Sequence, residues 1–195
     1  MRLFVGIKLP EPVAESLWSR CEGFPGADWT DPDTYHVTLR FIGEVGRAHA
    51  EEIDDALSEL AVPGFAMTLA GVDFFQTAGR PRVLWARVEP SPALTLLARK
   101  IDRAVVQTEL PPEERTFTPH VSIARLRDAP LPRVMEFVQR NALFRVDPFP
   151  VDRFILFESR QGRSGPVYHA LAEYILRSGR EESLAQASPT IAGKG

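Results

Sequence analysis

Two histidines of this 195-residue chain sit in the same local pattern. His36 opens His-Val-Thr-Leu, and His120, 84 residues later, opens His-Val-Ser-Ile. Each pattern reads as a strand, in which residues i and i+2 point to one face. His36 and Thr38 therefore share a face, as do His120 and Ser122, while Val37, Leu39, Val121 and Ile123 are buried behind them. Two imidazoles can divide the roles of general acid and general base near neutral pH. Two hydroxyls can hydrogen-bond the non-bridging oxygens of a phosphate. The set suits opening a phosphodiester whose leaving group is an adjacent ring oxygen, and it requires no metal. The other two histidines stand outside the pattern: His49 reads as a surface residue, and His169 as a last-strand neighbour of Tyr168.

The elements that must position these residues come from an internal repeat. RLFVGIKLPEPVAESL from Arg2 matches RVLWARVEPSPALTLL from Arg82 at an offset of 80. YHVTLRF matches PHVSIAR at an offset of 84, and DFFQ from Asp73 is echoed by ILFE from Ile155 at 82. Each half reads strand, helix, strand, helix, strand. The first strand of each half ends at a proline, which suits the first turn of the helix that follows. Helical stripes run through Val13, Leu17 and Cys21, through Ile53, Leu57 and Leu60, through Leu94, Leu97, Ala98, Ile101 and Val105, and through Val134, Phe137 and Val138. Strands are predicted over Phe65 to Leu69, Val83 to Val88, Val151 to Phe157 and Val167 to Ile175. The fold class is α+β. It has two pseudo-symmetric lobes, each an antiparallel sheet with helices on its outer face, enclosing a central cleft. Residues 1–177 form this single domain. Residues 178–195 lack an apolar period and read as a flexible tail.

Composition narrows the partners. Hydrophobic residues make up 44% and charged residues 25%, as in ordinary globular chains. No apolar run approaches the roughly 18–20 residues of a membrane span, and the opening MRLFVGIKLPEP is too soon interrupted for a secretory signal. The expectation is a cytoplasmic monomer. The lone Cys21 excludes an internal disulfide framework and a cysteine-based zinc cage. A net charge of −3 gives no sign of the basic face that long nucleic acid requires. Only Lys8, Lys100 and Lys194 of the 23 basic residues are lysines, and arginine suits bidentate phosphate recognition. Arg40, two positions beyond Thr38, is expected on the face of His36 as a phosphate contact; Ala124 stands at the matching place. Arg125 nominally faces away from His120, but a bend at the strand end would redirect it to phosphate. Tyr35, Phe41, Phe75, Phe117 and Trp29 are candidates for stacking an unpaired base.

HVTLRFIGE over 36–44 and PHVSIARL over 119–126 together resemble the paired motifs of the 2H phosphoesterase superfamily. Within it the chain resembles the bacterial and archaeal RNA 2′,3′-cyclic phosphodiesterases, long named 2′-5′ RNA ligases. RLFVGIKLP, Trp29 and PRVLW at 81–85 add to the likeness, which runs from Arg2 to Ile175. The resemblance implies the bilobal fold and hydrolysis of a terminal 2′,3′-cyclic phosphate to a 2′-phosphomonoester. In some members it implies reversible, ATP-independent 2′-5′ joining of RNA halves. It makes His36 the proton donor and His120 the proton acceptor, with Thr38, Ser122 and Arg125 on the phosphate and no cofactor or metal. Ser122 stands where threonine is commoner, and keeps the hydroxyl. The partners implied are RNA ends, or small nucleotides bearing a cyclic phosphate. Alternatives are a phosphodiesterase acting on an ADP-ribose cyclic phosphate or a 2′-5′ oligoadenylate, and a non-catalytic nucleotide-binding module.

Overall fold

The computed structural model describes residues 1–21, 23–162 and 165–177. Its elements run β1 (Arg2–Lys8), α1 (Glu11–Trp18), β2 (Ala27–Trp29), a 3-10 turn (Pro32–Thr34), β3 (His36–Glu44), α2 (Arg47–Ser58), β4 (Phe65–Met67) and β5 (Leu69–Thr77). They continue with β6 (Arg80–Val88), α3 (Pro92–Gln107), β7 (His120–Leu126), α4 (Leu131–Arg140), β8 (Phe149–Val151), β9 (Arg153–Gln161) and β10 (Pro166–Ile175). The tail expected over 178–195 lies outside the described residues.

The predicted helices form on their apolar stripes, but α1 and α2 end before the last stripe residues, Cys21 and Leu60. α1 and α3 each carry a proline in the first turn, and the Ser91 hydroxyl caps α3 by accepting the Leu94 N–H at 3.4 Å. Leu94, Leu97, Ala98, Ile101 and Val105 are all buried, as are Ile53 and Leu57 of α2. Each such leucine or isoleucine contributes about 1.5–3 kcal/mol by leaving water. α3 packs on β3 and α2, α2 touches β10, and α4 lies against β5 and β6.

An antiparallel sheet in the order β10-β9-β1-β3-β7-β6-β5, with β2 beside β7, carries the helices. Its two halves meet at one residue pair, Val37 with Val121. The repeat does not build two self-contained halves. β9, the last long strand of the second repeat to match the first, pairs with β1, while β5 of the first repeat pairs with β6 of the second. The runs predicted at 65–69 and 151–157 each break in two, because the short β4 and β8 leave the large sheet to pair with each other, Phe65 opposite Val151 and Met67 opposite Phe149. Sequence pattern carries the strands; their partners are a tertiary choice that local pattern does not encode.

Candidate active site

His36 and His120 begin β3 and β7, the two neighbouring strands at the joint. Continuing the register from Val37 and Val121 by one residue each way sets His36 across from Ser122 and Thr38 across from His120. The two histidines are then diagonal neighbours on one face, a placement with Cα atoms about 7–8 Å apart in a regular ladder. Their coupling is also electrostatic: charge on His120 disfavours charge on His36.

Each ring is oriented in the same way. His36 Nδ1 lies 2.7 Å from the carbonyl oxygen of Thr34, and His120 Nδ1 lies 2.7 Å from that of Thr118. A carbonyl can only accept, so Nδ1 carries the proton in both rings and Nε2 is left to react. Aromatic pairs wall each imidazole. Phe4 stacks on Phe157 at 5.0 Å beside His36, and the Tyr168 ring meets His36 edge-on at 5.1 Å. Phe75 stacks on Trp85 at 4.8 Å, and Phe75 meets His120 edge-on at 5.0 Å. Burial among these rings pushes both histidines below the usual value of 6.5, against the upward pull of their carbonyl partners. Gly6, across from Thr38, leaves room for this arrangement: a Cβ there would stand 2.9 Å from the Val37 carbonyl oxygen and 3.5 Å from His36 Cδ2.

One irregularity, present in both motifs, decides where the arginines go. β1 pairs Gly6 with Thr38 and then Val5 with Arg40, so Leu39 is skipped. β6 pairs Trp85 with Ser122 and then Leu84 with Ala124, so Ile123 is skipped. Each skipped residue is a bulge, and a bulge inverts the alternation beyond it. Arg40 is therefore turned to the helix-covered side, contrary to its expected place beside His36. It is 7% exposed, with Nε 2.9 Å from Asp102 Oδ1 and Nη1 3.2 Å from Glu113 Oε2. Arg125 is turned the other way, to the imidazole face and into solvent, where its charge acts on the Tyr168 phenol. Burial raises that phenol's pKa, and Arg125 and Arg2 pull it back.

The stacking candidates divide likewise. Phe41, 55% exposed, and Phe75, 37% exposed, lie on the imidazole face. Tyr35 does not: it is 1% exposed, with its hydroxyl 3.7 Å from Cys21 Sγ. Trp29 pairs with the inward-facing Ala124 and packs on Phe24 and Phe137, and Phe117 packs against the main core. Both serve the core because their neighbours on that side are apolar. His49 is not a free surface residue either, since its Nε2 lies 2.6 Å from the Thr108 carbonyl oxygen.

Sequence reasoning passed over Lys8 and Arg87, which lie directly across from His36 and His120. Aligning the prolines matches Lys8 with Val88, one residue out of the structural register. Arg87 is held by Asp73 at 2.8 Å, whereas Lys8 is exposed. Among the described residues, no group of three or more His, Cys, Asp or Glu could hold a metal ion, and no helix is long and apolar enough to cross a membrane.

Residues 9–163 match a family model described as the 2′-5′ RNA ligase superfamily. The chain belongs to that superfamily. A relative in Thermus thermophilus named RNA 2′,3′-cyclic phosphodiesterase is 33% identical over 199 residues, spanning 94% of this chain and 95% of that one. The crystal structure of TT0787 of Thermus thermophilus superposes with a TM-score of 0.76 at 30% identity, over 92% of this chain and all of that one. E. coli LigT complexed with 3′-AMP gives a TM-score of 0.70 at 26% identity, over 90% and 97% of the two chains. The 2′-5′ RNA ligase superfamily thus accounts for the α+β fold, and its match spans both histidine motifs.

Proposed function

We propose that the chain hydrolyses RNA ends bearing a 2′,3′-cyclic phosphate and leaves a 2′-phosphomonoester. The observation that carries this reading is the matched pair of imidazoles, each with Nδ1 tied to a carbonyl and Nε2 thereby left as the reactive nitrogen, at the joint of the two sheet halves. The name of the Thermus relative supports the substrate class.

His120 Nε2 takes a proton from water. The oxygen bonds to phosphorus in line as the bond from phosphorus to O3′ breaks, and protonated His36 gives its Nε2 proton to O3′. The depressed pKa of His120 suits a base that must be neutral. His36 is depressed too, so its protonated form depends on the negative charge of the bound phosphate. Thr38, Ser122 and Arg125 meet the phosphoryl oxygens, and the Lys8 ammonium adds positive charge beside His36. Phe41 and Phe75 offer ring faces to a terminal base.

The test incubates purified protein, in excess chelator, with an RNA oligonucleotide ending in a 2′,3′-cyclic phosphate. Chromatography against 2′- and 3′-phosphate standards should show the 2′ product. Formation of the 3′-phosphate, or no turnover, rejects the proposal.

A further inference from the structure

We infer that Arg40, of the first motif, is a positioning residue for His120, of the second. The two histidines have the same kind of carbonyl partner, but the two carbonyls are held differently. Thr34 belongs to the 3-10 turn that precedes β3. Its N–H bonds the Asp31 carbonyl at 2.9 Å, the next N–H bonds that of Pro32 at 3.1 Å, and the Asp31 carboxylate caps the turn from the Asp33 N–H at 3.0 Å. The acceptor of His36 is thus braced within its own turn. Thr118 is the last but one residue of 108–119, a connection between α3 and β7 without helix or strand. Connections longer than about 12–15 residues without regular structure are uncommon in compact domains, and this one stands at that limit.

Arg40 braces this connection. The guanidinium donates from Nη1 to Glu113 and from Nη2 to the carbonyl oxygen of Pro111, and its Nε faces Asp102 of α3. Asp102 Oδ1 in turn accepts the Glu113 N–H at 3.1 Å. One planar group so joins β3, α3 and the middle of the connection, a task the single ammonium of lysine cannot repeat. The bulge at Leu39 is what sends Arg40 to that side. The equivalent Ala124 has no arm to return the favour, so the support runs one way, from the strand of His36 to the acceptor of His120.

The inference rests on His120 being the acting base. Its test therefore has a readout independent of activity: the imidazole 15N resonances, which report the Nδ1–H tautomer of each ring. In Arg40→Met, and more weakly in Glu113→Gln, the His120 resonances should move toward the tautomer average while those of His36 stay in place. kcat should fall about 3- to 10-fold, the factor that one net hydrogen bond is worth, with KM within about twofold. Arg40→Lys should recover only part of kcat. Unchanged His120 resonances and kcat in a folded Arg40→Met overturn the inference, and so does equal loss of order at both histidines. If Arg40→Met does not fold, Glu113→Gln decides by the same readings: Glu113 is partly exposed, and the amide removes the charge that faces Arg40 while keeping an oxygen for the Arg115 N–H, which Glu113 Oε1 accepts at 3.3 Å. Retention of turnover by His120→Ala would instead overturn the functional assignment and leave the tautomer result standing.

Discussion

A single methyl group at Gly6 should separate placement of the His36 strand from its proposed chemistry. The added Cβ of Gly6→Ala would meet the Val37 carbonyl oxygen at 2.9 Å. Ordinary contact begins near 3.4 Å, so β1 and β3 must part by about 0.5 Å. Val37 follows His36 and pairs with Val121 at the joint, so the movement is passed to both imidazoles. A misplacement of 1 Å costs about 10²-fold in rate, and half of that distance about tenfold. Overpacking a core also costs about 1–3 kcal/mol, or a melting temperature lower by about 2–12 °C at this chain length. The assay is steady-state turnover of a cyclic-phosphate oligonucleotide well below the melting transition, with Gly23→Ala, whose Cβ would meet nothing within 4 Å, as the control. A folded Gly6→Ala with wild-type kcat would refute the argument that β1 sets the imidazole spacing.

His36→Ala and His120→Ala should each lower turnover by at least about 10²–10⁴-fold. The double variant should be little worse than the poorer single one, because the two act on one transition state; an additive double loss in single-turnover rates would contradict this. His49→Ala should keep kcat but lose about 1 kcal/mol of stability with the Thr108 hydrogen bond, seen as a melting shift of about 2–4 °C. Since burial lowers both histidines, the bell of kcat/KM against pH should be centred on the acid side of neutrality. Bound phosphate favours protonated His36, so the basic limb of kcat should lie at higher pH than that of kcat/KM, and coincident limbs would tell against His36 as the acid. Turnover should survive excess chelator; rescue by one added metal after its loss would reverse that expectation.

The two histidines were legible because a duplicated pattern appears twice in one chain, and the helices because their apolar stripes are long. The arginines were legible in type and not in direction. Strict alternation places Arg40 beside His36 and Arg125 away from His120, and the bulges at Leu39 and Ile123 reverse both. A signal was present: Ala124 occupies the place of Arg40, and a small apolar residue at a repeat-equivalent position marks that position as inward. Phe4, Phe157 and Tyr168 could not have been collected around His36 from sequence, since they come from three strands whose order no local pattern records.

The crossed pairing of β5 with β6 and of β9 with β1 bears on how such a chain could arise. A polypeptide carrying one repeat would have no partner of its own for its last strand. It could complete its sheet only by lending that strand to a second copy and receiving one in return. Such a pair would be symmetric, with the same histidine contributed twice across the axis at Val37 and Val121. Joining the copies into one gene product frees the two halves to differ. Two differences flank the histidines: Phe41 lies on the imidazole face where its counterpart is Arg125, and Arg40 reaches inward where its counterpart is Ala124. A symmetric dimer could hold neither distinction, and so could not fix one histidine as acid and the other as base before the substrate arrives.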